Sequence, residues 1–174
     1  MKERTGLVTF KGSPLTLVGQ EVRAGETAPD FTALANDLSP VKLSDFRGKP
    51  VVIVAVPSLD TGVCNTEARR FNQEAASLSD VKVLVVSMDL PFAQARWCGA
   101  AGIKNLQTVS DHRDASFGLA YGVLIKELRL LARSVWVIDR QGKILYVELV
   151  KEMTHEPDYD AALAAVKAIV SVGR

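Results

Sequence analysis

Val51-Val52-Ile53-Val54-Ala55-Val56 is an unbroken, mostly β-branched apolar run stopped by Pro57. A strand with one wet face alternates apolar and polar residues, whereas a run that is apolar at every position suits a strand buried on both faces. The run therefore predicts a central strand of an α/β sheet, and the rest of the chain has to supply the layers that cover it.

Those layers can be read in order. From Gly62 a helical period places Cys64, Ala68, Phe71, Ala75 and Leu78 on one apolar face, with Glu67, Arg69, Arg70, Gln73 and Glu74 lying elsewhere. Residues 81–88 read as a second buried strand. Pro91 suits the first position of a helix that runs to about Ala101 and ends at Gly102. Residues 106–110 predict a third strand, and 114–121 a short helix closed by Gly122. Residues 135–138 and 144–147 read as a β-hairpin. A last helix follows Pro157, with Asp158 and Asp160 in its first turn and Tyr159, Ala162, Leu163, Val166, Ile169 and Val170 on one stripe. Ahead of the central strand, 7–10 and 15–18 predict a small hairpin appendage, and 25–40, rich in turn formers, an extended surface connection. One α/β domain with a mixed sheet, spanning residues 1–174, is expected.

Charge narrows the function. With 21 Lys and Arg against 20 Asp and Glu, the net charge of +1 carries no footprint for nucleic acid or an acidic membrane surface. Apolar runs fall far short of the roughly 18 residues of a spanning helix, and no signal-peptide core follows Lys2-Glu3-Arg4. A cytoplasmic protein is expected, and there a chain's two cysteines are more often reactive or buried than permanently bonded. No phosphate loop, dinucleotide fingerprint or zinc spacing is present, so neither a metal nor an organic cofactor is expected.

Cys64 stands where chemistry is easiest. It falls in the first turn of a helix that follows a buried strand, where open α/β sheets place ligands and where unpaired N–H groups favour thiolate over thiol. Thr61 can bring its hydroxyl to the same spot, and Pro57 stiffens the loop. Each residue also has a plainer reading. Cys64 lies on an apolar stripe and could simply pack there, Thr61 could be a helix cap, Cys98 a core thiol beside Trp97, and Arg133 a surface or an ion-pairing residue.

The stretch Pro57-x-x-x-Thr61-x-x-Cys64 resembles the peroxidatic motif of peroxiredoxins. Ser87-Met88-Asp89-Leu90-Pro91-Phe92-Ala93-Gln94-Ala95-Arg96-Trp97-Cys98 is similar to the hallmark of their thiol peroxidase branch. The likeness continues through Ala120-Tyr121-Gly122-Val123, Ala132-Arg133 and Glu156-Pro157-Asp158-Tyr159, while residues 124–131 match no pattern. The resemblance implies a thioredoxin-like fold with an added amino-terminal hairpin. It implies that Cys64 is the peroxidatic thiolate, that Thr61 hydrogen-bonds sulfur or peroxide oxygen, that Pro57 shields the sulfenate, and that Arg133 stabilises negative charge. Cys98 is implied as the resolving thiol of the same chain. The substrate would be hydrogen peroxide or an organic hydroperoxide, the reductant thioredoxin, and the assembly a homodimer. A peroxide sensor relaying oxidation to a partner, or a non-catalytic chaperone-like module on the same fold, are the competing expectations. The helical segment around Cys98 holds Gly99 and is followed by Gly102, weak helix formers that let it open easily.

Overall fold

The computed structural model describes residues 1–75, 77–78 and 80–172. The apolar run after Pro50 forms strand β5 (Val51–Ala55), buried throughout. Its residues alternate between two apolar clusters. Val51, Ile53 and Ala55 join one with Phe117, Tyr121 and Trp136, and Val52, Val54 and Val56 join another with Cys64, Ala68 and Phe71. That is why every position in the run is apolar.

Around β5 the elements follow the sequence closely. Helix α1 is Gly62–Ala75, β6 is Lys82–Ser87, α2 is Pro91–Ala101, β7 is Gln107–Ser110 and α3 is Ser116–Ala120. Strands β10 (Ser134–Ile138) and β11 (Ile144–Leu149) form the expected hairpin, and α4 is Tyr159–Val172. Pro91 opens α2 after an extended Leu90, and Gly102 closes it in the left-handed conformation, its N–H bonded to the Cys98 carbonyl. Helices α1 and α4 cover one face of the sheet through Cys64, Ala68, Phe71, Ala162, Val166 and Ile169. The side chain of Ala75, expected on the same face, lies outside the described residues.

Three expectations change. The amino-terminal hairpin, β1 (Glu3–Phe10) and β2 (Ser13–Val18), is no appendage: Val8, Leu15 and Leu17 belong to the core on the other face of β5. The connection at 25–40 holds β3 (Thr32–Leu34) and begins β4 (Pro40–Lys42). The pattern-free stretch before Arg133 holds β8 (Leu124–Ile125) and β9 (Leu130–Leu131). These strands are too short for alternation to register in a sequence, and tertiary burial of Ala33, Val41, Ile125 and Leu131 holds them. The result is a seven-stranded sheet, β11-β10-β5-β6-β7-β3-β4, beside a four-stranded one, β1-β2-β8-β9. Within the larger sheet β5, β6 and β7 are parallel and β10 is antiparallel to β5. The carboxyl ends of the three parallel strands therefore open onto one rim, the usual place for a site in such a sheet.

Candidate active site

Cys64 sits on that rim. After β5 the Val56 N–H bonds the Val86 carbonyl, and the chain turns through a buried Pro57 into α1. Thr61 is the cap of α1. Its Oγ1 accepts the Cys64 N–H at 3.2 Å and donates to the Ser58 carbonyl at 3.1 Å. The hydroxyl is thus committed to the backbone, and its expected bond to sulfur is absent in this structure. A threonine cap that bonds the N–H three residues on satisfies one of the orphan donors of the helix start, so the plainer reading of Thr61 accounts for the bonds it makes here.

Arg133 reaches Cys64 across 69 residues of sequence, its Nη1 donating to Sγ at 3.1 Å. The sheet makes this possible. Antiparallel pairing sets Ser134 opposite Ala55, so the residue before β10 lies beside the chain leaving β5. Arg133 is 1% exposed and Cys64 fully buried, which overturns the surface reading of the arginine. Its other donors, Nε and Nη2, hold the Met153 carbonyl at 3.1 and 2.8 Å. Met153 belongs to the loop after β11, and its own N–H bonds the Thr9 carbonyl of β1. The amino-terminal hairpin thereby braces the loop that aims the guanidinium.

Glu67 is the residue the sequence reading missed. It was placed away from the apolar face, yet it is fully buried and its Oε2 accepts the same Arg133 Nη1 at 2.6 Å. The signal was available in its spacing: three residues after Cys64 and four before Phe71, it is a neighbour of both on the surface of α1. Its charge concealed this, because a carboxylate enters a core only with a partner. Burial pushes its carboxyl up to about 7, against the pull of Arg133. The guanidinium is itself held firmly charged: burial opposes the charge, but Cys64 and Glu67 outweigh it and raise its affinity for the proton. A thiol in such a place has a fixed cation at hydrogen-bond distance and little water, so negative charge developing beside it can be met without reorganisation.

Cys98 stands apart from this cluster. It is half-buried on α2, its Sγ 3.4 Å from Thr108 Oγ1, and both cysteines are free. Only Pro91 and Gln94 of α2 are fully buried; Trp97 packs partly against the core, and the end of the helix after Cys98 is exposed at Gly99 and Ala100. The structure thus brings Cys64 and Arg133 together, sets Thr61 and Pro57 on the loop before them, and keeps Cys98 on its own helix. Among the described residues no helix is long and apolar enough to cross a membrane.

The redoxin family model matches residues 23–163. The thiol peroxidase of Bacillus subtilis (strain 168) is 60% identical over 163 residues, 94% of this chain and 98% of that protein. The thiol peroxidase of Halalkalibacterium halodurans is 60% identical over 161 residues, 92% of this chain and 97% of its own. Among solved structures, that of a peroxiredoxin-like protein from Aquifex aeolicus aligns with a TM-score of 0.89 at 45% identity, covering 95% of this chain and 97% of the other.

Proposed function

The chain belongs to the redoxin family, as a thiol peroxidase of the peroxiredoxin type with the thioredoxin-like fold, and from that premise we propose how its residues divide the reaction. Cys64 is the peroxidatic thiolate. Its sulfur attacks the terminal oxygen of a hydroperoxide; the S–O bond forms as the O–O bond breaks, sulfur is oxidised by two electrons, and the alkoxide or hydroxide leaves and takes a proton. The product on the protein is a sulfenic acid. The contact between Arg133 Nη1 and Sγ at 3.1 Å inside a buried site carries this reading. The cation favours the thiolate beforehand and meets the charge moving onto the leaving oxygen, so its effect is greatest in the transition state.

Thr61 has two parts. Its cap fixes the first turn of α1, and on substrate binding its hydroxyl turns from the Ser58 carbonyl to the peroxide oxygen. Pro57, buried and without an N–H, shields the sulfenate from water. Cys98 resolves it: its thiolate attacks Cys64 sulfur, the S–S bond forms as the S–O bond breaks, and hydroxide leaves and takes a proton to become water. A thioredoxin-type dithiol then reduces the disulfide by exchange. α2 must open for this, which its lightly held carboxyl half allows. We further read the chain as a homodimer, on the strength of the motif resemblance, and as a cytoplasmic protein.

Coupled oxidation of NADPH in the presence of thioredoxin, its reductase and hydrogen peroxide or an organic hydroperoxide tests the assignment. Cys64→Ser should abolish turnover, because an alcohol remains protonated at neutral pH. Retained turnover in the purified variant would falsify the role of Cys64.

A further inference from the structure

Among the polar residues of the motif that precedes Cys98, Ser87, Asp89 and Gln94 have been given no role. The structure gathers them into one network between the two thiols. Asp89, in the turn between β6 and α2, accepts the Ser58 hydroxyl on Oδ1 at 2.7 Å. On Oδ2 it accepts the Leu59 N–H at 2.8 Å and the Ser87 hydroxyl at 2.7 Å. Its backbone carbonyl receives the Ser110 hydroxyl at the end of β7 at 2.5 Å.

On one side the network runs toward Cys64. Ser58 is held by Asp89 through its hydroxyl, its carbonyl receives the Thr61 hydroxyl, and the Thr61 oxygen receives the Cys64 N–H. On the other side it runs into the helix of Cys98. Gln94 Nε2 donates to Ser87 Oγ and to the Val109 carbonyl, both at 2.9 Å. Gln94 is fully buried and lies four residues before Cys98, on the same face of α2. Its Oε1 is buried without a hydrogen-bond partner among the described residues. A lone buried carbonyl is costly, and an apolar residue would fill the space without that cost, so the side chain is there for its two donated bonds.

We propose that Asp89 is a positioning residue for the peroxidase reaction, its carboxylate tying the loop before Cys64 and the first turn of the Cys98 helix into one hydrogen-bonded unit. The inference rests on Cys64 being the peroxidatic thiol. It has two consequences. The Thr61 cap, and with it the backbone of Cys64, takes its position from Asp89 through Ser58. The start of α2 is pinned by Pro91 and Gln94, so the opening that frees Cys98 is confined to the turns after Gln94.

Asp89→Asn keeps the shape but replaces one accepting oxygen with a donor, so the three donors that meet the carboxylate can no longer all be satisfied. Rapid-quench mass spectrometry of Cys64 sulfenate formation in purified protein, with hydrogen exchange alongside, tests the proposal. The rate of first oxidation should fall about tenfold, since small misplacements of reacting groups have effects of that order or more, and the shortfall should persist at a pH that fully ionises the thiol. Exchange should rise together in residues 58–64 and 91–97. Ser58→Ala, a milder change, should reproduce part of the loss, and the double variant should lose no more than Asp89→Asn alone, as members of one chain are not additive. A wild-type rate of first oxidation in folded Asp89→Asn, strictly additive losses, or exchange rising on one side only would overturn it. If wild-type Cys64 forms no sulfenate at all, the peroxidatic assignment fails instead.

Discussion

At the sulfur of Cys64 the deciding quantity is how Arg133 divides its donors. Nη1 serves Sγ and the Glu67 carboxyl at once, at 3.1 and 2.6 Å. When Glu67 is protonated the guanidinium charge is left to the thiolate; when it ionises, the two anions share one cation. Burial sets that change at about pH 7. Glu67→Gln keeps an acceptor for Nη1 but removes the charge, so the ratio of variant to wild-type first-oxidation rate should climb as pH rises from 6 through 8. A flat ratio across that interval would show that Glu67 does not tune the sulfur. Arg133→Met removes the cation altogether. Single-turnover oxidation should fall by about a hundredfold or more, the size of loss typical for one transition-state donor, and high pH should not restore it, because ionising the thiol leaves the leaving oxygen unassisted. Complete recovery at high pH would reduce Arg133 to a role in ionisation.

Among the elements, α2 is the one whose weakness matters. Its last fully buried residue is Gln94, and Gly99, exposed, follows the half-buried Cys98 directly. A Cβ added at Gly99 meets nothing within 4 Å, so Gly99→Ala should stabilise the helix by about 1 kcal/mol. If α2 opens before Cys98 reaches the sulfenate, disulfide formation after a stoichiometric peroxide pulse should slow by up to about fivefold while sulfenate formation is unchanged. An unaltered disulfide rate would mean that the helix need not open around Gly99. Gly102 offers no such test, because its positive φ of 66° is one that an L side chain resists. The amino-terminal hairpin matters in a different way. Glu152 accepts the Thr9 hydroxyl and the Gly12 N–H, both at 2.9 Å, and so fastens β1 and β2 to the loop whose Met153 carbonyl holds Arg133.

Across the whole molecule these groups shape stability against pH. The bonds Glu152 accepts from Gly12 and Thr154 hold its carboxyl down at about 2, so its contribution is present above the unfolded value of about 4.5 and is lost as pH falls toward 2. Burial raises Glu67 to about 7 and Asp111 to about 6. For these two the native state holds its protons longer than the unfolded chain, so stability declines as pH rises from about 4 to 7. Urea midpoints measured from pH 4 to 8 should show that decline, and Glu67→Gln should flatten its upper part while leaving the Asp111 share. A midpoint that rises steadily from pH 5 to 7 in the wild type would contradict it.

Much of this was legible in residue order because it is local. A continuous β-branched run declares a doubly buried strand, Pro91 and Gly102 declare both ends of α2, and the helix-start position of Cys64 follows from the run before it and the period after it. The short strands β3, β4, β8 and β9 were not legible, since two or three residues carry no period and are strands only because the sheets beside them supply partners and burial. Nor could spacing place Arg133: its sequence neighbours say nothing of Cys64, and the contact exists because Ser134 registers against Ala55 in the sheet. Glu67 was misread for the same reason. A carboxylate on a helix belongs in water unless a cation meets it inside, and that cation arrives from the far side of the fold. Residue order thus carries the main layers and the place of the thiol, whereas the electrostatics at the thiol arise only in the folded chain, because charges can be buried only where distant segments bring their partners.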